Sequence, residues 1–520
     1  MKTYIQHLKS LKLGKIKNKE KIPVLRSSAV FPCILNKTLN TKILFMGYWM
    51  IKKNIKIITM KYKLRDQYGK LLISETHKID KIKAYTISIK DLISKKKLGI
   101  NFLGSIEIEF LSKKDLFYPY PACVISLEYT NGSSFVHSIG RIYNNSIDEK
   151  ENSKISAPES GFDILPSINF LPFVSFVNGP KKLKKQKLKV KIINFKNEYF
   201  NKEIDLGDIK PFETKFIKIM NEDEKKFLTK YKGTAIIKHD LSGFYPRFLA
   251  GNCDLQQSQF SITHTFYDTK KIKEYFENKN KKKFFDATIT VPIFKKKYQT
   301  EISLYPIFCP TNFKLNLELF KPNGIKIFEK KNFYKSKNNV LKFININQQL
   351  KKIDLTKLSE SFFLARISFF SKTKIASRLK FGLNIISEKK LKAVSSNVCF
   401  NAQLAFDKKL NKKTRFCWAP IINKENYKFI LYNSSFVKKG FKKASIQMNF
   451  WREKDQKNIS KKLILNDNGS YLFSLNKNKE IKKFLNKKTG WVTFKSDNPF
   501  IQGYYIEASK KGNVGADHFF

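Results

Sequence analysis

The feature that most constrains this chain is a repeat of about 129 residues. A strand-like segment that begins at a small residue occurs four times, as GSIEIEFLS at 104, GTAIIKHDLS at 233, SFFLARISFFS at 361 and GWVTFKS at 490, at intervals of 129, 128 and 129 residues. Self-similarity at a fixed spacing indicates one structural unit that is copied along the chain.

Two further series of segments recur at nearly the same spacing. One is an alternating strand that ends at Ile89, Ile219, Ile346 and Leu475, at intervals of 130, 127 and 129 residues. The other closes on an apolar residue, a basic residue and a turn, as Leu64-Arg65, Phe195-Lys196, Phe320-Lys321 and Trp451-Arg452. Because three independent series agree on one period, we predict a tandem array of four related units.

Inside each unit the apolar residues alternate with polar ones, as in KLKVKII (187–193), KLNLELF (314–320) and ASIQMNF (444–450). This alternation is typical of half-buried β-strands, and Asn, Gly, Asp and Pro mark the turns between them. Six to eight short strands per unit without alternating helices predict an all-β protein made of two-layer antiparallel sandwiches. At the level of the fold, each unit is similar to an immunoglobulin-like sandwich, although it lacks the Cys…Trp…Cys signature of antibody domains.

Polar, charged stretches between the apolar segments are typical of exposed linkers and divide the chain. We expect a basic N-terminal tail over 1–26, followed by four β-sandwich units over 27–147, 162–268, 285–388 and 397–520.

Lysine dominates the charge of the chain. Lys and Arg total 101 against 43 Asp and Glu, and since only eight are Arg, 101 − 8 = 93 are Lys. Abundant Lys, Asn, Ile and Phe together are typical of AT-rich bacterial genomes, so we interpret the charge as spread over solvated faces. Unspecific affinity for polyanions such as nucleic acid follows at low salt. The Lys-dense stretch at 180–189 predicts a strand at the edge of its sheet, guarded by lysine against further pairing.

The sequence favours a cytoplasmic compartment. The six cysteines form no C-x-x-C pair, the N-terminus has no apolar signal core, and the apolar run from Ile43 to Ile51 is about half the length that spans a bilayer. We expect a soluble protein without a membrane span, and peripheral association of the basic tail with a membrane stays open.

Three of the six histidines occupy one position in the repeat. His137, His264 and His518 each lie late on the second strand of the hairpin that closes a unit, with turns predicted at Asn131-Gly132, Gly251-Asn252 and Gly512-Asn513. The third unit reads LKFGLNIISEKK (379–390) at this place and has no histidine. Repetition favours a structural histidine over a catalytic one. A repeated binding site is the alternative, and its candidate residues are His137, His264, His518, Arg141, Arg247, Tyr245 and Tyr267.

No local motif for catalysis or for a cofactor is present. Phosphate-binding glycine loops, nucleophile elbows and HExxH helices are lacking, so we predict no cofactor and no metal site. Asp517 and His518 are adjacent on an alternating strand, so their side chains are expected on opposite faces. The aromatic runs FYPYP (117–121) and FYPRF (244–248) could stack on sugar rings or bases, or fill a core.

These observations predict a non-enzymatic tandem β-sandwich protein that presents repeated strand-edge and hairpin surfaces to a protein or glycan partner. Two alternatives stay open. One is a carbohydrate-active or other hydrolytic enzyme that uses the hairpin histidines, and the other is a polyanion binder that acts through lysine charge.

Overall fold

The computed structural model describes most of the chain beyond the N-terminal tail. The described residues are 23–137, 140–153, 159–165, 169–228, 232–267, 275–277, 285–306, 312–335, 340–371, 374–376, 380–388, 393–401, 403–404, 414–434 and 443–520. They form an all-β protein with several separate antiparallel sheets, as predicted. The chain divides into an N-terminal body (1–130 and 135–272) and a C-terminal body (131–134 and 273–520).

The first half of the N-terminal body contains eight strands and three short helices among the described residues. Its elements are β1 (Arg26–Leu35), β2 (Leu39–Met46), α1 (Tyr48–Lys53), β3 (Ile58–Asp66), β4 (Leu71–Ile79), β5 (Ala84–Ser88), α2 (Ile89–Lys95), β6 (Phe102–Leu111), β7 (Val124–Tyr129), β8 (Gly132–His137) and α3 (Ser146–Ser153). The strands form one eight-stranded sheet in the order β4-β3-β6-β1-β2-β7-β8, with β5 on β2.

The second half repeats the same succession of strands with a short helix before the sixth. Its elements are β9 (Glu159–Ile164), β10 (Phe170–Val177), β11 (Leu183–Asn194), β12 (Tyr199–Ile209), β13 (Thr214–Lys218), α4 (Glu222–Lys225), a 3₁₀ turn (Lys226–Leu228), β14 (Gly233–His239), β15 (Leu249–Asp254), β16 (Phe260–His264) and β17 (Phe266–Tyr267). Here the strands separate into two sheets, β12-β11-β14-β9-β17 and β13-β10-β15-β16.

These two sheets share one apolar core. Phe162, Leu188 and Ile237 from the first sheet are fully buried in one cluster with Val174 and Ala250 from the second. A sheet that is apolar on one face must bury that face, and here each of the two sheets covers the other.

The C-terminal body begins with a third run of the same succession. Its elements are β18 (Tyr275–Glu277), β19 (Phe285–Phe294), β20 (Tyr298–Leu304), β21 (Lys314–Phe320), β22 (Lys326–Lys335), β23 (Lys342–Asn345), α5 (Ile346–Gln349), a 3₁₀ turn (Leu355–Lys357), β24 (Phe362–Ser371), β25 (Lys374–Ala376), β26 (Lys380–Ser387), β27 (Val398–Asn401) and β28 (Gln403–Leu404). The sheets are β22-β21-β24-β19-β28, β23-β20-β26-β27 and the small pair β18-β25.

The fourth run follows in the C-terminal body. Its elements are β29 (Arg415–Ile421), β30 (Tyr427–Asn433), β31 (Ala444–Arg452), β32 (Asn458–Leu465), β33 (Ser470–Ser474), a 3₁₀ turn (Leu475–Lys477), α6 (Lys479–Leu485), β34 (Gly490–Ser496), β35 (Ile501–Ala508) and β36 (Val514–His518). They form the sheets β29-β34-β31-β32 and β33-β30-β35-β36. The four segments that define the sequence period therefore lie on β6, β14, β24 and β34, which have the same place in their sheets.

Two local predictions need correction. The strand β11 is a sheet edge only before Leu188, where its Lys-dense part pairs with β12 alone, because from Leu188 onward it also pairs with β14. Gly251 and Asn252 lie inside β15, and the hairpin turn instead joins Asp254 to Gln259. In the third run, β26 pairs with the return strand β27.

In the N-terminal body, the turn between β3 and β4 contacts the segment that leads into β13. The backbone N–H of Thr214 donates to the carbonyl of Gln67 at 2.9 Å. Gly69 has a φ of +88°, and a Cβ at this position would lie 2.2 Å from the carbonyl oxygen of Pro211. The guanidinium of Arg65 lies 4.2 Å from the ring centre of Phe212.

In the C-terminal body, the turn between β21 and β22 contacts the segment that leads into β33. The backbone N–H of Ser470 donates to the carbonyl of Pro322 at 2.8 Å. Gly324 has a φ of +90°, and its Cβ would lie 2.2 Å from the carbonyl oxygen of Asp467. At the same place, Arg366 Nη1 donates a hydrogen bond to Asn468 Oδ1 at 2.9 Å.

Candidate functional site

The hairpin histidines end the strands on which they lie. His137 is the last residue of β8, His264 the last of β16 and His518 the last of β36. In the N-terminal body, the antiparallel register of β15 and β16 places His264 opposite Leu249. A strand end is a place where a side chain can leave the packed face of the sheet and meet another element.

His137 and His264 lie against each other in the N-terminal body. Their ring centres are 4.6 Å apart, and the rings are nearly perpendicular. One ring nitrogen of His137 lies within 4.8 Å of one ring nitrogen of His264. His264 is buried, with 4% of its surface exposed, and His137 is partly exposed. The structure thus brings together two of the residues that the sequence singled out.

A backbone carbonyl fixes the orientation of the His264 ring. Nδ1 lies 3.1 Å from the carbonyl oxygen of the next residue, Thr265. Because a carbonyl oxygen can only accept, Nδ1 carries the proton and Nε2 carries the lone pair of the neutral ring. His518 makes the same bond in the C-terminal body, with Nδ1 2.8 Å from the carbonyl oxygen of Phe519.

Asp517 does not join His518 in a common site. Its carboxylate accepts from the hydroxyl of Tyr505 at 3.3 Å and from the backbone N–H of His518 at 2.8 Å. Asp517 is buried while the His518 side chain is partly exposed. These positions agree with side chains that alternate between the faces of β36.

Arg141 is held in a buried ion pair. Its two terminal nitrogens each donate to one carboxylate oxygen of Asp148, both at 2.6 Å, and only 3% of Arg141 is exposed. A two-point guanidinium–carboxylate contact fixes both side chains. The backbone of Arg141 also pairs with that of Tyr245 in an isolated bridge. The geometry gives Arg141 a role in joining these two segments.

The structure also places two further predicted binding residues, Arg247 and Tyr267. Arg247 is partly buried beside Phe248, a core residue whose ring lies 5.0 Å from that of His239. Tyr267 lies on β17, where its backbone pairs with Ser160.

The two aromatic runs have opposite environments. Phe244 and Phe248 of FYPRF are buried in the core. In FYPYP, Phe117, Tyr118 and Tyr120 are all exposed, the two tyrosine rings lie 5.8 Å apart, and the ammonium of Lys53 lies 3.0 Å from the ring centre of Phe117. Of the two runs, 117–121 therefore has the more exposed rings.

Two buried titratable groups of the N-terminal body were not singled out from the sequence. Burial lowers the pKa of His239 to about 4, and neither of its ring nitrogens has a hydrogen-bond partner in the described part of the chain. Burial likewise lowers the pKa of Lys225 to about 7, and its ammonium donates to the carbonyl of Leu165. No sequence signal marks Lys225, because it is followed directly by the exposed Lys226.

The same edge strand recurs in all four runs. Each of β4, β12, β22 and β32 pairs with one neighbour among the described strands, and their side chains are largely exposed. Three of them expose a large apolar residue, namely Leu71, Tyr199 and Ile464, of which Ile464 is 70% exposed. Exposed backbone donors and acceptors at a sheet edge are a template on which another strand can pair.

No protein-family model and no curated protein matches the chain. Among solved structures, the chain is similar to the crystal structure of a tetra-tandem repeat in the extending region of a large adhesion protein, with 6% sequence identity, a TM-score of 0.09, and coverage of 88% of this chain and 90% of that one. Within the described ranges, none of the helices combines the length and the apolar character needed to cross a membrane.

Proposed function

We propose that the chain is a non-enzymatic binding or assembly protein built from four immunoglobulin-like β-sandwich units. The order of pairing supports four copies of one unit. The fourth, third, sixth and first strands of every run are neighbours in that order when the third run is counted from β19. We place the boundary between the third and fourth units after Leu404, since β27 and β28 pair with β26 and β19.

The observation that carries this function is the recurrence of one exposed edge strand in all four runs. An extended segment of a partner protein can add to such an edge through main-chain hydrogen bonds, and side chains at alternate positions then supply selectivity. Tyr199 and Ile464 offer apolar contacts at two of these edges. Repeated edges favour a partner that is itself repetitive, since several weak contacts made together bind far more tightly than one.

A peptide-binding experiment tests this proposal. Peptides selected from a displayed library on the full chain are expected to bind the wild type and to lose about tenfold or more in affinity for the combined variant Leu71→Glu, Tyr199→Glu and Ile464→Glu. Ile57→Glu is the matched control, because Ile57 is 54% exposed but precedes β3 and lies on no edge strand. Equal losses in both variants would contradict edge recognition.

The salt dependence of binding in the same experiment distinguishes the polyanion alternative from edge recognition. Binding through lysine charge falls steeply between about 0.05 and 0.2 M salt, whereas binding at a shaped edge falls much less. The enzyme alternative would gain support if His264→Ala left the melting temperature unchanged but removed a measurable turnover.

The exposed aromatic run supports glycan binding as a second candidate function. Tyr118 and Tyr120 present neighbouring rings to solvent, and such rings can stack on the apolar faces of sugars. Binding to an array of glycans should then be lost in Tyr118→Ala and kept in Tyr68→Ala, an exposed tyrosine outside the run.

A further inference from the structure

We propose that His137 and His264 bind a divalent transition-metal ion, with Zn²⁺ as the reference member of the class. Neither the repeat architecture nor the proposed partner recognition requires such a site. The proposal also departs from the sequence, which led us to expect no metal.

The distance between the two rings is compatible with a shared ion. One nitrogen of His137 and one of His264 lie within 4.8 Å of each other. Two imidazole nitrogens on one tetrahedral zinc ion, each about 2.0–2.1 Å from the metal, lie about 3.4 Å apart. To bind one ion, the two nitrogens must therefore approach each other by about 1 Å. A modest rotation of the partly exposed His137 side chain can supply this movement.

The surroundings of His264 match those of a metal-binding histidine. Its Nδ1 donates to the carbonyl of Thr265 at 3.1 Å, which directs the lone pair to Nε2. Histidines that bind metals usually donate their second ring nitrogen to a carbonyl or carboxylate, and this bond both orients the ring and strengthens the ligand. Burial of His264 excludes competing water, while the partly exposed His137 leaves a path for the ion.

The donor atoms decide the class of ion. Imidazole nitrogen suits Zn²⁺, Cu²⁺ and Ni²⁺, whereas Ca²⁺ and Mg²⁺ require oxygen ligands. Cys253, the cysteine on the neighbouring strand β15, pairs with Phe260 at the opposite end of the β15–β16 ladder from His264, and burial raises the pKa of its thiol to about 12. It therefore supplies no thiolate, and water can complete the coordination.

To test this proposal, the full chain without a polyhistidine tag is titrated with Zn²⁺, and calorimetry measures the binding. We expect the wild type to bind Zn²⁺ and the variants His137→Ala and His264→Ala each to bind at least tenfold more weakly. His77→Ala is the matched control and should bind like the wild type, because His77 is an exposed histidine of the same body that contacts Glu75. His518 is unsuitable as a control, since its ring makes the same bond as that of His264.

A measurement on the wild type alone guards against variants that fail to fold. An ion that binds only the folded state raises the melting temperature by mass action, so Zn²⁺ should raise it and Mg²⁺ should not. The proposal is overturned if Zn²⁺ leaves the melting temperature unchanged, or if folded His137→Ala and His264→Ala bind Zn²⁺ as the wild type does.

Discussion

The turn before β4 in the N-terminal body and the turn before β22 in the C-terminal body make the same contact with different sequences. DQYGK (66–70) and KPNGI (321–325) share only the glycine in fourth place, yet each turn accepts one backbone hydrogen bond from the first residue of a strand, Thr214 or Ser470. Gly69 and Gly324 also agree in φ within a few degrees. The contact therefore depends on the backbone and on one glycine, and the other side chains of the turn are free to vary.

The most severe way to break this correspondence is to add a methyl group to either glycine. Gly69→Ala and Gly324→Ala would place a Cβ 2.2 Å from a carbonyl oxygen and force a left-handed backbone on alanine. The backbone penalty of about 1–2 kcal/mol and the loss of a hydrogen bond worth about 1 kcal/mol predict that each variant lowers the free energy of unfolding by about 3 kcal/mol. Denaturant unfolding of the full chain measures this loss.

Gly207→Ala provides the control for the backbone penalty. Gly207 has a φ of +61°, but a methyl group added there would meet no described atom within 4 Å beyond its chain neighbours. The variant should lose only about 1 kcal/mol. If Gly69→Ala lost no more than Gly207→Ala, the packed turn would contribute nothing beyond its own conformation.

The second and fourth runs differ more in the helix that precedes their sixth strand. In α6, the residues that face the core are Ile481 and Leu485. In the shorter α4, the buried residue is Lys225, and Leu228 follows it in the 3₁₀ turn. The second run thus buries a lysine in this helix, whereas the fourth run buries an isoleucine. Burial of a charged ammonium group is costly unless the lysine loses its proton.

Lys225→Met tests this difference through pH. The pKa of Lys225 is about 7 in the folded chain, whereas that of an exposed lysine is 10.5, so between these values the unfolded chain binds one more proton. Its contribution to the free energy of unfolding therefore rises with pH from about 7 to about 10.5. At pH 7.5 the proton that must be lost on folding costs the wild type about 4 kcal/mol. In the variant, the carbonyl of Leu165 loses its lysine donor, which costs about 1–3 kcal/mol. Near pH 7.5 the variant should therefore be more stable than the wild type by about 2 kcal/mol, and this advantage should vanish before pH 10.

Lys226→Met is the control for the titration of ordinary surface lysines. Lys226 is exposed and bonded to Asp223, which raises its pKa. The difference between wild type and Lys226→Met should not show the same rise between pH 7 and 10. A wild type and a Lys225→Met variant with parallel stability profiles would contradict the burial of an uncharged lysine.

The sequence predicted the recurring features of the fold because they arise from local rules. Alternation along Lys314–Phe320 or Ala444–Arg452 identifies a strand without knowledge of its neighbours. The sequence does not identify the return strand of the third hairpin, because nothing local links Val398 to Leu383 across the intervening residues. The burial of Lys225 beside the exposed Lys226, and the approach of His137 to His264, are set by tertiary packing, which neither spacing nor composition reports.

The smallest expected effect concerns the side chains that surround the two turns. In the N-terminal body, Arg65 lies over the ring of Phe212, and in the C-terminal body Arg366 instead bonds Asn468. A cation–π contact at such a site contributes about 0.5–1 kcal/mol, so Phe212→Leu should lower the free energy of unfolding by at most about 1 kcal/mol. Because leucine keeps most of the apolar contact, a loss as large as that of Gly69→Ala would mean that the aromatic ring, and not the glycine backbone, holds the N-terminal turn in place. Asn468→Ala, measured in parallel, should likewise cost less than Gly324→Ala if the backbone is the shared element of both contacts.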